Sequence, residues 1–165
     1  MIKVRKAKVA DAGFIQGILR KYAVEADLVV KNLNDIYAQL RDYYILEKDG
    51  RSAGVVALHV YWEDLGEIRS FIIEKEFRGK GRGKLLFSCV MREARELGIK
   101  KVFALTKIPG FFRKYGFKKI AMKKLPQKVW KDCLNCPKFP DQCDEEALIL
   151  ELKREKKQKK AKNKR

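Results

Sequence analysis

The chain has 165 residues, 46% of them hydrophobic, which is enough for one domain with a packed core. It carries 39 Lys and Arg against 21 Asp and Glu, a formal net charge of +18 at pH 7. No apolar run approaches the roughly 20 residues of a membrane-spanning helix, and Met1–Arg5 lacks the apolar core of a signal peptide, so we expect a cytoplasmic protein with no membrane partner.

The positive charge is concentrated at the C-terminal end. Residues 153–165 hold nine basic residues and one acidic residue, a net charge of +8, which leaves +10 for residues 1–152. Because the last residues offer almost nothing apolar to bury, we expect a folded domain over 1–152 and a disordered basic tail over 153–165. The tail could attach weakly to nucleic acid or serve only to keep the protein soluble, and both interpretations stay open.

The first half of the chain predicts one strand, two helices and three antiparallel strands. Ile2–Arg5 alternates as a short strand, and Asp11 is placed to cap a helix whose apolar residues recur every three to four positions. A second helix begins at Asn32 or Asn34. The three strands are expected over residues 43–47, 53–61 and 67–73, the first two joined by an Asp-Gly hairpin turn.

A strand, a glycine-rich turn and the start of a long helix occupy residues 72–86, and we call residues 78–84 the glycine loop. Gly79, Gly81 and Gly83 stand at alternate positions, where the missing Cβ leaves the backbone N–H groups uncovered. At the start of a helix such groups favour an anion, so the loop predicts a diphosphate site. The surrounding cations are Arg78, Lys80, Arg82 and Lys84. The run lacks the Gly-Lys-Ser/Thr ending of a P-loop, and a basic connection without a ligand is the alternative.

The second half of the chain begins where Gly98 ends the long helix. We then expect a strand over 101–105, a short helix over 110–115, and strands over 117–122 and 147–152. An irregular segment over 123–146 contains Cys133, Cys136 and Cys143. Three thiols so close together in a cytosolic chain predict a metal site, with zinc ahead of iron–sulfur, although plain reduced thiols fit about equally well.

The pattern Arg78-x-x-Gly81-x-Gly83 resembles the acetyl-CoA loop of the GNAT acetyltransferase superfamily, and the order of elements over residues 1–122 is similar to the GNAT fold. Residues 111–117 resemble a later motif of that superfamily. Within it, the chain is similar to the acetyltransferase domain of short, kinase-free N-acetylglutamate synthases, through residues 66–70, the glycine loop, 105–112 and 125–133. The resemblance implies an α/β fold with a mixed, largely antiparallel central sheet that is splayed at the cofactor site and flanked by helices.

The same resemblance implies an enzyme that moves an acetyl group from acetyl-CoA to the α-amino group of an amino acid. L-Glutamate is the favoured acceptor, which would place the reaction at the start of arginine biosynthesis, while glutamine or another amino acid stays open. Two alternatives fit the basic tail. One is a GNAT enzyme acting on protein or polyamine amines, and the other is a non-catalytic, nucleic-acid-associated protein of this fold. A homo-oligomer is compatible with all three.

The resemblance also assigns cofactor residues. Backbone N–H groups around Phe71, Ile72 and Ile73 would bind the pantetheine arm and polarise the thioester carbonyl. Residues 78–84 would hold the pyrophosphate through the backbone and the basic side chains. Arg113 could contact a cofactor phosphate.

Glu67 is the first candidate for the group that deprotonates the amine or orients a water, because it lies upstream of the expected carbonyl site on the same strand. A surface carboxylate at the end of a strand is the alternative. His59, the only histidine, is the second candidate for this role. A histidine on an alternating strand is more often a half-buried structural residue than a catalyst. Phe112 stands where many GNAT enzymes carry the tyrosine that protonates the leaving thiolate, and Tyr115 is expected to point elsewhere.

A dicarboxylate acceptor needs cationic partners. Arg69 lies two residues after Glu67, so both side chains share one face of the strand. Arg20 and Lys31 flank the loop over 23–31, which could wall an acceptor pocket or simply cover the core. Each of the three is individually more often an ordinary surface cation than a ligand, and Arg69 is the best candidate, because an Arg in the middle of a strand is unusual.

Overall fold

The computed structural model describes residues 1–25, 30–126 and 130–153, with every side chain among them except those of Trp130 and Asp132. The predicted disordered tail and its nucleic-acid contact fall almost entirely on residues 154–165, which lie outside the described residues. The same holds for residues 26–29 of the expected acceptor loop and for residues 127–129 of one resembling phrase.

The described residues form seven strands and five α-helices. The strands are β1 (Ile2–Lys6), β2 (Tyr43–Lys48), β3 (Arg51–Trp62), β4 (Leu65–Ile73), β5 (Lys101–Thr106), β6 (Lys118–Lys119) and β7 (Glu146–Glu151). The helices are α1 (Ala12–Lys21), α2 (Leu33–Ala38), α3 (Arg82–Glu96), α4 (Pro109–Arg113) and α5 (Trp130–Leu134). All seven strands belong to one sheet, in the order β1-β2-β3-β4-β5-β7-β6.

The sheet is mixed and largely antiparallel, which confirms the predicted fold class. Among the described strands only β4 and β5 run parallel, and their pairing joins Leu65–Glu67 to Lys101–Phe103. Beyond Glu67, β3 is the one described strand that pairs with β4, whereas β5 continues to pair with β7 up to Thr106. The two halves of the sheet therefore separate after Glu67 and leave a gap beside the backbone of β4.

A bulge in β4 lies beside this gap. Arg69 and Ile72 pair with residues only two apart on β3, so Ser70 and Phe71 together face one residue of that strand. Ser70 has a φ of 54°, in the left-handed region that a serine rarely adopts. The bulge shifts the alternation of β4 by one residue, which puts Arg69 and Ile72 on the same face of the sheet. No glycine marks the position, so the sequence did not predict it.

Helices cover both faces of the sheet, because α1 and α3 each carry an apolar stripe. Ile15, Ile18 and Leu19 of α1 pack with Ile36 of α2 against one face. The side chains that α3 buries against the opposite face are Leu86, Phe87, Val90, Met91 and Ala94. Since α3 follows the glycine loop directly, this packing sets its N-terminal end beside the gap.

Three parts of the chain differ most from their predicted form, whereas other boundaries shift by one or two residues. β6 is two residues long, shorter than predicted, because Phe117 turns into the core and a 3-10 turn forms at Met122–Lys124. α4 ends at Arg113 rather than at Tyr115. The segment predicted to be irregular contains the short helix α5. Within the described ranges, no helix combines the length and the apolar content that crossing a bilayer requires.

An ion-pair cluster fastens β1 to the start of α1. Arg5 donates both guanidinium ends to Asp11, at 2.7 and 2.9 Å, and its Nε to Glu47 of β2 at 2.7 Å. Asp11 also accepts the amide N–H of Lys8 at 2.6 Å, so its carboxylate supports the turn before α1 rather than capping α1. The Arg5 guanidinium holds the pKa of the Asp11 carboxyl below its usual value in spite of burial.

We expect Asp11→Asn to lower the free energy of unfolding by about 2 kcal/mol at pH 7, because a charge-assisted pair is lost. Since the folded-state pKa of Asp11 lies below its ordinary value, its contribution is present above about pH 4 and is lost as the pH falls through the folded value. In urea denaturation, the difference between parent and variant should therefore narrow below about pH 4. Glu96→Gln, which removes the exposed partner of Arg92, is the control and should stay within about 0.5 kcal/mol. A loss for Asp11→Asn as small as that of the control would contradict this account.

Candidate active site

The glycine loop joins β4 to α3 through a run of left-handed backbone. Gly79, Lys80 and Gly81 have φ values of 85°, 52° and 74°, and α3 begins at the next residue. The amide N–H of Arg82 donates to the carbonyl of Gly79 at 3.2 Å, and that of Leu85 donates to the carbonyl of Gly81 at 3.1 Å. The chain therefore reverses within one tight turn and enters the helix immediately.

Three amides of this turn stay available to a ligand. Within the described part of the chain, no hydrogen bond occupies the N–H groups of Gly81, Gly83 and Lys84. A Cβ added at Gly83 would lie 3.3 Å from the ring of Phe111, so that ring would have to shift by a few tenths of an ångström. Unpaired N–H groups at the start of a helix attract anions, so the geometry fits the predicted phosphate site.

The four cations of the glycine loop have different surroundings. Arg82 is only 6% exposed, and its Nη1 donates to the carbonyl of Phe77 at 2.6 Å. This hydrogen bond stabilises the loop from its buried side. Arg78 donates its Nε to the last carbonyl of β4 at 2.9 Å. Lys84 is exposed and lines the cleft described below, whereas Lys80 is exposed and does not line it. The loop therefore presents less side-chain charge to a ligand than its composition indicates.

A carboxylate of the chain already lies beside Arg78. Glu25 accepts from Nη1 of Arg78 at 3.1 Å and pairs with Lys75 at 3.2 Å. Arg78 first, and then Lys75, hold the pKa of the Glu25 carboxyl below its usual value. A phosphate bound at the glycine loop would compete with Glu25 for these two cations.

A cleft of about 650 Å³ opens between β4 and β5. Its walls are the glycine loop, the second half of β4, the end of β5 and α4. The predicted cofactor residues in its lining are Phe71, Ile72, Ile73, Arg78, Gly79, Gly81, Arg82, Gly83 and Lys84. Arg113 lies outside the lining and pairs with Glu146 at 2.5 Å. The structure thus brings together all the predicted cofactor residues of the β4 strand and the glycine loop except Lys80.

Aromatic side chains form the wall of the cleft on the α4 side. The rings of Phe71 and Phe111 are 5.1 Å apart between centroids, and Tyr115 stacks on Phe87 at 4.3 Å. Tyr115 lines the cleft, so the expectation that it points elsewhere is wrong. α4 ends before Tyr115, and helical geometry therefore does not set the direction of its side chain. Phe112 is 2% exposed and brings no hydroxyl to the site.

Glu67 lies at the point where β4 separates from β5. It is 7% exposed, and its backbone neighbours are His59 on β3 and Phe103 on β5. The carboxylate is 3.8 Å from Nη1 of Arg69. The next residue, Ile68, lines the cleft, so Glu67 is just beyond its end. The interpretation of Glu67 as a surface carboxylate is wrong, and its catalytic role stays a prediction.

Two of the three predicted substrate cations come together. Nη2 of Arg69 and Nζ of Lys31 both donate to Oε1 of Gln39, at 2.6 and 2.8 Å. Arg69 lines the cleft, whereas Arg20 is exposed on α1 and does not line it. The sequence did not single out Gln39, because its position depends on how the turn after α2 meets the sheet.

His59 supports the surroundings of Arg69. Its Nδ1 lies 2.6 Å from Oδ2 of Asp42, and its ring meets the ring of Tyr61 edge-on, with centroids 4.8 Å apart. The hydroxyl of Tyr61 lies 3.5 Å from Nη1 of Arg69. This arrangement fits the structural role expected for a half-buried histidine on a strand.

Lys107 is a functional candidate that the sequence analysis missed. It follows the last residue of β5, lines the cleft and pairs with Asp144 at 3.3 Å. The sequence did offer one signal for Lys107, because it directly follows β5, which runs parallel to β4. The carboxyl ends of parallel strands commonly border ligand sites.

The three cysteines are free thiols. Across the described ranges, no group of three His, Cys, Asp or Glu side chains is placed to hold a metal ion, so the zinc prediction for Cys133, Cys136 and Cys143 is not supported. Burial, together with the nearby Glu145 carboxylate, raises the pKa of the Cys133 thiol to about 11.

Comparison with known proteins finds relatives that match most of the chain. Residues 16–117 match the sequence model of the acetyltransferase (GNAT) family. An uncharacterized N-acetyltransferase of Chlorobaculum tepidum is 39% identical over 149 residues, which cover 90% of this chain and 96% of that protein. An amino-acid acetyltransferase of Mycobacterium tuberculosis is 34% identical over 120 residues, which cover 71% of this chain and 68% of the relative.

Solved structures share the fold. A Mycobacterium tuberculosis protein crystallised in complex with CoA and NLQ has a TM-score of 0.79 and 28% identity, covering 92% of this chain and 99% of that chain. The N-acetylglutamate synthase of Neisseria gonorrhoeae, in complex with CoA and N-acetyl-glutamate, has a TM-score of 0.82 and 24% identity. The match covers 93% of this chain and 36% of the synthase, and at this identity it supports the fold alone.

We expect Gly81→Asp to weaken CoA binding roughly 30-fold, because the new carboxylate would repel phosphates at the loop. Gly98→Asp is the matched control, since both glycines have positive φ, 74° and 77°, and an added Cβ meets nothing within 4 Å at either. In thermal unfolding the two variants should lose similar stability, whereas in calorimetry only Gly81→Asp should lose affinity for CoA. Equal binding by both would remove the phosphate assignment of the glycine loop.

Proposed function

This chain belongs to the GNAT family of acetyltransferases, and we propose that it moves the acetyl group of acetyl-CoA to the α-amino group of L-glutamate. The family and its amino-acid acetyltransferase relatives make the protein an acyltransferase. An amino-acid acceptor is supported by the Mycobacterium tuberculosis relative, an amino-acid acetyltransferase, and an acidic side chain on that acceptor is supported by the charges beside the cleft. Acetylation of glutamate would place the enzyme at the start of arginine biosynthesis.

The observation that carries the proposal is that Arg69 and Lys31 bind the same side-chain oxygen of Gln39. Arg69 lies on the strand that leads into the glycine loop, and Lys31 shares its hydrogen-bond acceptor. Two cations that meet on one acceptor beside the cleft suit the carboxylate of an acidic amino acid. The same two cations disfavour a substrate without negative charge.

The charges in the lining of the cleft argue against a cationic acceptor such as a polyamine or a lysine side chain. The lining includes six Arg and Lys residues and two Glu residues. One of the two, Glu25, is already paired with Arg78 and Lys75. Arg78 and Lys84 would face the cofactor phosphates, so the argument about the acceptor rests on Arg69, where a polyamine would need an acidic partner instead. The nucleic-acid-associated alternative depends on the basic tail and stays a prediction.

Acetyl-CoA fits the glycine loop and the gap as a cosubstrate. The free amides of Gly81, Gly83 and Lys84 would bind the pyrophosphate, and the side chains of Lys84 and Arg78 would face its charge. The backbone of 71–73 has no partner in β5 and would hold the pantetheine arm and donate to the thioester carbonyl. Bound in this way, the thioester supplies an acyl carbon that is open to attack by an amine.

Glu67 is the residue to which we assign removal of the proton. An α-ammonium group has a pKa of roughly 8, so a carboxylate acting directly or through a water can release the amine at neutral pH. The amine nitrogen then bonds to the acyl carbon while the carbon–sulfur bond breaks, and the sulfur leaves with the electron pair. The nitrogen releases its second proton to solvent, which gives the neutral amide. Because a thiol has a pKa of roughly 8.5, the sulfur can leave as a thiolate although Phe112 offers no proton.

An assay of thiol release from acetyl-CoA with a panel of amino acids tests the proposal. We expect turnover with glutamate, slower turnover with glutamine and none above background with spermidine. Mass spectrometry should show one acetyl group on the nitrogen of the product. The absence of turnover with both glutamate and glutamine would remove the proposed acceptor and leave the family assignment intact.

We expect Glu67→Gln to lower kcat about 100-fold with little change in the affinity for CoA, because the carboxylate acts on the amine and not on the cofactor. Glu63→Gln is the control, since Glu63 is an exposed carboxylate on the turn before β4. Steady-state kinetics and calorimetry with CoA measure the two quantities. Unchanged turnover in Glu67→Gln would show that another group deprotonates the amine.

A further inference from the structure

We propose that Gln39 is a specificity-determining residue, whose amide oxygen holds the place of the acceptor's side-chain carboxylate between Arg69 and Lys31. The inference rests on the proposed function, because it concerns the acceptor of that reaction. Its consequence is a carboxylate subsite that discriminates glutamate from glutamine.

A single oxygen atom binds both cations. Oε1 of Gln39 accepts from Nη2 of Arg69 at 2.6 Å and from Nζ of Lys31 at 2.8 Å. The two nitrogens are therefore no more than about 5.4 Å apart, the sum of these distances. All three residues are half-buried, so their charges are screened less than charges at the surface.

A neutral amide oxygen is a weak partner for two cations at this separation. The two positive charges repel each other. The Glu67 carboxylate, 3.8 Å from Nη1 of Arg69, offsets part of that repulsion, and the amide oxygen that lies between the two cations adds only a partial charge. A carboxylate in the same place would add a full negative charge and form charge-assisted hydrogen bonds, roughly twice as strong as neutral ones. The carboxylate of a ligand should therefore displace the amide of Gln39.

The side-chain carboxylate of the acceptor suits this place better than its α-carboxylate. An α-carboxylate has an ammonium group on the neighbouring carbon, which the cation pair would repel. In glutamate, further methylene groups separate the side-chain carboxylate from that ammonium. The side chain of glutamine ends in a neutral amide, which offers Arg69 and Lys31 nothing that Gln39 does not already provide.

The backbone fixes Gln39, while its side chain is able to turn away. Gln39 directly follows α2, and its amide N–H donates to the carbonyl of Asp35 at 3.1 Å. The helix is anchored by Ile36, which is fully buried, and by Asn32, whose side chain accepts the N–H of Asp35 at 2.8 Å. Rotation about the side-chain bonds is therefore enough to release the two cations, without movement of α2.

Gln39→Glu tests the inference, because a resident carboxylate would occupy the subsite permanently. We expect the KM for glutamate to rise about tenfold or more and the KM for glutamine to change by less than about threefold. Asn34→Asp adds the same charge on the exposed part of α2 and should change neither value. An unchanged KM for glutamate in Gln39→Glu would overturn the subsite, and equal increases for both substrates would overturn its role in specificity.

Binding of glutarate, a dicarboxylate without an amine, separates this inference from the proposed function. In calorimetry with CoA present, glutarate should bind the parent protein, and Gln39→Glu should weaken it about tenfold or more. Gln39→Leu removes the competing oxygen and should bind glutarate at least as tightly as the parent. No binding by the parent, equal binding by Gln39→Glu, or a tenfold loss in Gln39→Leu would each overturn the inference. A parent protein that acetylates no amino acid would instead overturn the proposed function.

Discussion

The site depends on how briefly β4 and β5 pair. They share only the parallel ladder at Leu65–Glu67, after which β5 pairs with β7 and, among the described strands, β4 keeps β3 as its single neighbour. Because backbone N–H and C=O groups require partners, the edge of β4 beyond Glu67 offers groups that an extended ligand can satisfy. The cleft follows from this separation, and the bulge at Ser70 lies along its border. Glu67 is held at the fork, next to the place where the two reactants would meet.

Acceptors of the chain itself hold the positive charges around the cleft. A backbone carbonyl binds Arg82, Glu25 binds Arg78, and Gln39 binds Arg69. These contacts order the cations before a ligand arrives, so that less conformational freedom remains to be lost on binding. The contact of Arg82 is buried and stays in place. The partners of Arg78 and Arg69 are side chains that an incoming anion can displace.

Predictions that rest on contiguous residues agree best with the structure. The alternation of strands, the apolar stripes of helices and the tight turn at the glycine loop each follow from preferences of a few neighbouring residues. Predictions that involve a second segment were less accurate. The direction of Tyr115 depends on where α4 ends, and the spacing of the cysteines does not say whether their thiols converge. Burial of Arg82 likewise depends on packing that the glycine pattern does not reveal.

By itself, the sequence determined the strands, the helices and the turn suited to phosphate, because strand and helix periods and glycine positions are local requirements of the backbone. Its resemblance to motifs of a known family supplied the family and the fold class. It also pointed to Arg69 and Lys31, but only as separate cations. Tertiary structure alone decided that both meet on Gln39, that Ser70 forms a bulge and that Glu67 is buried where the sheet divides. Arg69 and Gln39 are 30 residues apart in the chain, and their contact arises from the packing of α2 and its following turn against the sheet, which no local preference encodes.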